Sequence, residues 1–182
     1  MKISIKEHKL KKLLFILLLF TLFCCNDKND EILKETEADR LVINEFLAKN
    51  NACCPDEYGE FDDWVEIYNG NNITINIGGM YFSDRRDDPD PYRIPNTDAS
   101  LTTIPAYGFL VLYCDRQTEQ GILHLNFKLS GNGESVVLID KDGTTILDSY
   151  TFGTQTANVS MGRSGSSTWI YFEYPTPGTT ND

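Results

Sequence analysis

Histidine is nearly missing from this sequence: its 182 residues include two. His8 sits in a basic leader, which leaves His124 alone in the body of the chain. A His-x-x-x-His zinc pair is thereby excluded. No Gly-x-Ser-x-Gly elbow occurs, since Gly162-Arg163-Ser164-Gly165-Ser166 has the wrong spacing. No glycine-rich phosphate loop follows a strand and opens a helix. Positive charge is scarce, with 16 Lys+Arg against 27 Asp+Glu and a net charge of −11. Phosphate neutralisation needs clustered Lys and Arg, so no nucleic-acid partner is expected. A long apolar run is lacking too. Leu13 to Phe23 is apolar except for Thr21, but a membrane-spanning helix needs about 20 residues. From Leu41 onward no long window has the i, i+3, i+4, i+7 spacing of an amphipathic helix. Close carboxylate pairs of the glycosidase kind arise by chance in so acidic a chain. The reading is therefore non-enzymatic, with no catalytic residue nominated.

What remains is informative. Apolar residues make up 41%, enough for a core, and the length suits one domain. Lys2, Lys6, Lys9, Lys11 and Lys12 precede the short apolar run, which together read as a secretory signal. Leu22-Phe23-Cys24-Cys25 resembles a bacterial lipoprotein box, with Cys25 in register for acylation. Cleavage before Cys25 would take the net charge from −11 to −15. Diacylglycerol plus an amide-linked chain anchors durably where one chain binds marginally. Asn26-Asp27-Lys28-Asn29-Asp30-Glu31 is similar to the surface-export signals of some Gram-negative lipoproteins, and a solvated spacer is equally compatible. Residues 26–40 are mostly polar and read as a tether whose reach as a coil is on the order of 20 Å. The division expected is 1–24 signal, 25–40 acylated cysteine and tether, and 41–182 folded domain.

Short apolar or alternating runs then recur between Gly, Asn, Asp and Pro. They include 41–47, 63–69, 73–77, 80–83, 107–114, 135–140, 144–152, 159–162 and 168–174. Many short strands at this spacing predict an all-β antiparallel sandwich or barrel. Lys141-Asp142-Gly143 is the turn of a hairpin over 135–152, because Asp140 can start it and Gly143 can take positive φ. Asp140 to Gly143 also resembles part of a calcium loop, but the bidentate glutamate of an EF-hand is missing. On the second strand Val65 and Ile67 are expected to face the core, with Trp64, Glu66 and Tyr68 on the opposite face. Trp64, Glu66, Tyr68 and Tyr81 form the candidate binding surface, within a wider aromatic set of Tyr92, Trp169, Tyr171 and Tyr174 suited to glycan stacking or partner docking. Calcium stays open at Asp84, Asp87, Asp88 and Asp90, and at Glu45 if it meets Glu66 or Asp63; solvated or turn-capping carboxylates are the plainer reading. No other cofactor is implied. Cys53, Cys54 and Cys114 are odd in number once Cys25 is acylated, so one disulfide of unknown pairing or free buried thiols both fit. A strand histidine such as His124 is ordinarily packed or hydrogen-bonded.

The order of several segments carries a resemblance. Asn44-Glu45-Phe46 is followed by Asp63-Trp64-Val65-Glu66-Ile67-Tyr68-Asn69, Gly79-Met80-Tyr81-Phe82-Ser83-Asp84 and Ile104-Pro105 with Gly108-Phe109-Leu110-Val111. His124-Leu125-Asn126-Phe127-Lys128-Leu129-Ser130, Ser160-Met161-Gly162-Arg163, Trp169 and Pro175-Thr176-Pro177-Gly178 complete it. Over 41–182 the chain resembles bacterial lamin-tail domains. That resemblance implies an immunoglobulin-like sandwich used as a non-catalytic binding or scaffolding module, sometimes accessory to hydrolases or nucleases. The insertion 50–60, with Cys53-Cys54-Pro55, and the acidic stretch 85–90 depart from the family pattern, and individuality is expected there. The combined expectation is a lipid-anchored module on the outer membrane of a Gram-negative bacterium, facing the cell surface. Its partner would be an envelope protein, with glycan binding or calcium-dependent adhesion as the alternative.

Overall fold

The computed structural model describes residues 41–165 and 168–181, so Cys25, the signal and the tether lie outside the described residues. Among the described residues twelve strands occur in order: β1 Leu41–Leu47, β2 Asp63–Asn69, β3 Ile75–Asn76, β4 Tyr81–Ser83, β5 Tyr92–Arg93, β6 Thr103–Ile104, β7 Phe109–Cys114, β8 His124–Leu125, β9 Glu134–Ile139, β10 Ile146–Phe152, β11 Ser160–Ser164 and β12 Thr168–Phe172. A single turn of helix, α1 (Ala99–Thr102), is capped by Asp98, whose side chain accepts the Ser100 N–H. Six strands form one sheet in the order β12-β11-β1-β2-β7-β8, four form a second in the order β10-β9-β4-β5, and β3-β6 is a short ribbon.

All pairings are antiparallel except β7 with β8, where Tyr113 meets His124 and Cys114 meets Leu125 in parallel. The exception has a local cause. Asp115 turns the chain at the end of β7 by accepting the Gln117 N–H, and a second turn closes with Gln120 N–H on the Gln117 carbonyl. The chain thus re-enters beside β7 in the same direction and needs no crossover helix. The hairpin of β9 and β10 forms as its sequence expects, with Gly143 at φ 74 and its N–H on the Asp140 carbonyl.

The core lies where the two sheets face each other. Ile43, Phe46, Val65, Ile67 and Leu112 from the first sheet meet Phe82, Val136 and Leu138 from the second, all 0% exposed. Each such side chain contributes about 1.5–3 kcal/mol by leaving water. Phe46 also packs on Phe152 at 4.5 Å and Trp169 at 5.7 Å. A polar tie joins the sheets: Arg163 donates twice to Asp148, at 2.8 and 2.9 Å, and Asp148 accepts the Ile43 N–H.

The outer face of the six-stranded sheet is also covered, where alternation alone would leave it wet. Glu45 and Glu66 stand directly opposite each other on β1 and β2, a pairing that like charges disfavour. The ladder bulges between Ile43 and Glu45, and the residue there, Asn44, donates its amide to Glu66 at 2.8 Å. Segment 175–181 lies over both carboxylates. Gly178 N–H donates to Glu66, Thr176 N–H donates to Glu45 at 3.1 Å, and Asn181 donates to the Asn44 carbonyl at 3.1 Å. Glu66 is consequently 0% exposed, and burial, only partly offset by Gly178 and Asn44, pushes its carboxyl up to about 7.

Candidate functional site

The densest set of chemically capable side chains lies between loop 48–62 and the β8 edge. Asn50 organises the loop. Its amide donates to the Cys53 and Asp62 carbonyls at 2.7 and 2.8 Å, and its oxygen accepts the Cys53 N–H at 2.9 Å. Asp56 then builds a tight turn, with Oδ1 accepting the Tyr58 and Glu60 N–H groups at 2.9 and 2.8 Å. Gly59 completes it at φ 81, a conformation that favours glycine. This turn brings Glu57 and Tyr58 to His124.

His124 is fully buried and held on every side. Its Nδ1 bonds to buried Asp115, and its Nε2 lies 3.3 Å from Glu57 Oε1. Tyr113 stacks on the ring at 5.1 Å and Tyr58 meets it edge-on at 6.0 Å. Burial opposes the charged imidazolium, but the hydrogen bonds it donates to Asp115 and Glu57 outweigh it and raise the histidine above its usual range. Ligand atoms of Asp56, Glu57 and His124 lie within 4.8 Å of one another, as do those of Asp56, Glu60 and Asp62. A groove of about 510 Å³ opens on the other side of the loop, lined by Asn50, Asp62, Asp63 and Lys128 among others. His124 does not line it, so groove and histidine do not form one pocket.

The residues nominated from sequence fall elsewhere. Trp64 and Glu66 are 0% exposed, which removes them from any outward binding face; segment 175–181 covers Glu66. Tyr68 is half-buried against Phe109, with ring centres 4.9 Å apart, and Tyr81 is half-buried beside Arg93. Within the wider set Trp169 packs on Tyr150 at 4.0 Å, while Tyr171 and Tyr174 are exposed. Asp84, Asp87, Asp88 and Asp90 do not converge on a common point among the described residues. Asp88 instead accepts bonds from Ser83 at 2.6 Å, Arg85 at 3.0 Å and the Asp90 N–H at 3.1 Å. Burial works against its charge, but these bonds prevail and lower its carboxyl below the usual range. Asp142 accepts the Thr144 and Thr145 N–H groups and the Thr145 hydroxyl, and is lowered to about 2. Its oxygens serve the hairpin turn. The Glu45–Glu66 pair that sequence offered to calcium is satisfied by segment 175–181. Cys53 pairs with its neighbour Cys54, and Cys114 is a buried free thiol that burial pushes up.

The family model described as Lamin Tail Domain matches residues 34–154. The chain belongs to the lamin tail domain family. The match and the antiparallel two-sheet architecture together identify the fold as the immunoglobulin-like lamin-tail sandwich. A comparison with curated proteins found no match. Lamin tail domains are generally binding or scaffolding modules and are not known as catalytic. In this lamin tail domain β11 and β12 lie beyond the matched stretch, yet β11 pairs with β1 inside the sheet. The Asp56–Glu57–His124–Asp115 cluster was not foreseen as a unit. Its one legible signal was a lone histidine on a strand, downstream of an acidic insertion that departs from the family pattern.

Proposed function

We propose that this lamin tail domain is a non-catalytic module of the bacterial cell envelope, lipid-anchored through Cys25 to the outer membrane, facing the cell surface and binding an envelope protein. Family membership carries the reading, because it supplies a sandwich whose role is generally to bind or scaffold. The basic leader, the short apolar run and Cys25 support the anchor. Exposed Tyr58 and Phe61 on the insertion loop, and Tyr171 on edge strand β12, are apolar contacts of the type that interfaces use. A glycan ligand is the second reading, favoured by Tyr171 and Tyr174, which are 55% and 85% exposed.

Two measurements test this. Feeding cells an alkyne-bearing palmitate analogue should label the wild-type chain and leave Cys25→Ser unlabelled. Equal labelling of both would refute the anchor. In-cell cross-linking followed by purification should recover a defined envelope protein, and Tyr58→Ala with Phe61→Ala or Tyr171→Ala should reduce its yield. Recovery of polysaccharide alone would favour the glycan reading.

A further inference from the structure

The polar groups around His124 are unbalanced: oxygen acceptors outnumber donors. Asp56 Oδ1 is used by the turn it caps, which leaves Oδ2 as the oxygen available to the cluster. That atom is buried and has no hydrogen-bond partner, although Asp56 is only 7% exposed. Asp62 Oδ2 and Gln120 Oε1 are likewise buried without partners. An unsatisfied buried polar atom costs about 1–3 kcal/mol, and more when charged. The deficit in this corner is one of positive charge.

The histidine shows where that charge belongs. With Nδ1–H donated to Asp115, the Nε2 lone pair points to Glu57 Oε1, and the two acceptors can meet only through a proton or a cation. We propose that Asp56, Glu57 and His124 bind one first-row divalent transition-metal ion, zinc fitting best, with Asp115 as the residue that orients the histidine. One imidazole and two carboxylates suit zinc, whereas calcium prefers an all-oxygen set with more ligands. Tetrahedral ligands about 2.1 Å from zinc stand roughly 3.4 Å apart. The three ligand atoms already lie within 4.8 Å of one another, and Glu57 Oε1 and His124 Nε2, 3.3 Å apart, already have that spacing. The Glu57 side chain is 55% exposed, which supplies the entry path and leaves a fourth position to water. Carboxylate behind histidine behind metal is the usual way a protein fixes the imidazole tautomer. Glu60 is less available, because Gln117 and Gln120 donate to its Oε2 at 2.6 and 3.0 Å. Binding displaces the Nε2 proton to solvent and ties the insertion loop, with Tyr58 and Phe61, to the β8 edge.

The test uses the full chain in mild detergent, stripped with chelator and titrated with zinc chloride by calorimetry and by thermal unfolding. One saturable ion per chain is expected, with a rise in Tm. Glu57→Gln, an exposed change that cannot perturb the core, and His124→Gln should each weaken binding at least about tenfold, and Asp115→Asn about 10–100-fold. Asp115→Asn should also move downward the pH at which the affinity levels off, because the histidine loses its carboxylate; an unmoved inflection overturns the orienting role. Calcium should not compete. No saturable binding up to about 1 mM zinc overturns the site. So does affinity unchanged in both Glu57→Gln and His124→Gln.

Discussion

Glu66 makes the stability of this domain fall as pH rises. Its carboxyl titrates near 4.5 when unfolded and near 7 when folded. Between those values the native chain keeps a proton that the unfolded chain has lost, so ΔG of unfolding declines with pH throughout that window. A shift from 4.5 to about 7 corresponds to about 3 kcal/mol, taken as an upper figure. The cause is structural: ionised Glu66 is fully buried, faces Glu45, and has as donors among the described residues the Gly178 N–H and the Asn44 amide. Glu134 and Asp63, raised by burial to about 7 and about 6, act with the same sign, so wild type alone cannot assign the effect. Glu66→Gln isolates it. The substitution keeps the shape, removes the titration and exchanges one acceptor for a donor, a constant offset of about 1 kcal/mol. Urea unfolding followed by tryptophan fluorescence, from about pH 4.5 to about pH 8, should show wild type losing about 3 kcal/mol relative to Glu66→Gln. Hydrogen-exchange protection factors at 176–181, corrected for the intrinsic rate at each pH, should fall with pH in wild type and stay level in the variant. Parallel stability curves with a pH-independent gap would refute the reasoning.

Other outcomes follow from the same geometry. Phe46→Ala should cost about 3–5 kcal/mol in chemical denaturation, because Phe46 is wholly buried between Phe152 and Trp169. Arg163→Met should cost about 3 kcal/mol in the same assay, since it strands the Asp148 carboxylate between the sheets. Gly162→Ala would put a methyl 2.5 Å from Asn181 Nδ2 and 3.0 Å from the Asn44 carbonyl, so limited proteolysis should find 175–181 released. Cys114 should resist alkylation in the folded chain and react once urea unfolds it, as read by mass spectrometry.

Legibility in the sequence tracked the range of the interactions. β1 and β2 stand at the expected residues because alternation and turn residues are local signals. The 135–152 hairpin was readable from Asp140 and Gly143 for the same reason. β5, β6 and β8 are two residues each, too short to carry any period. The burial of Glu66 depends on Gly178, 112 positions away, and no window on β2 contains that information. The His124 cluster combines a partner nine residues distant with another 67 residues distant, so only its histidine stood out. At 84–90, proximity in sequence leaves shared calcium ligands open beside the plainer turn-capping reading, and Asp88 is satisfied by its own neighbours.

The position of β1 has a mechanical consequence. The strand opens the described domain yet lies inside the six-stranded sheet, laddered to β2 on one side and β11 on the other. A pull transmitted from the N-terminal segment therefore enters at Leu41 and must shear two ladders together, instead of peeling an edge strand one bond at a time. A domain tethered by that end and gripped by a partner elsewhere would bear load through two ladders at once.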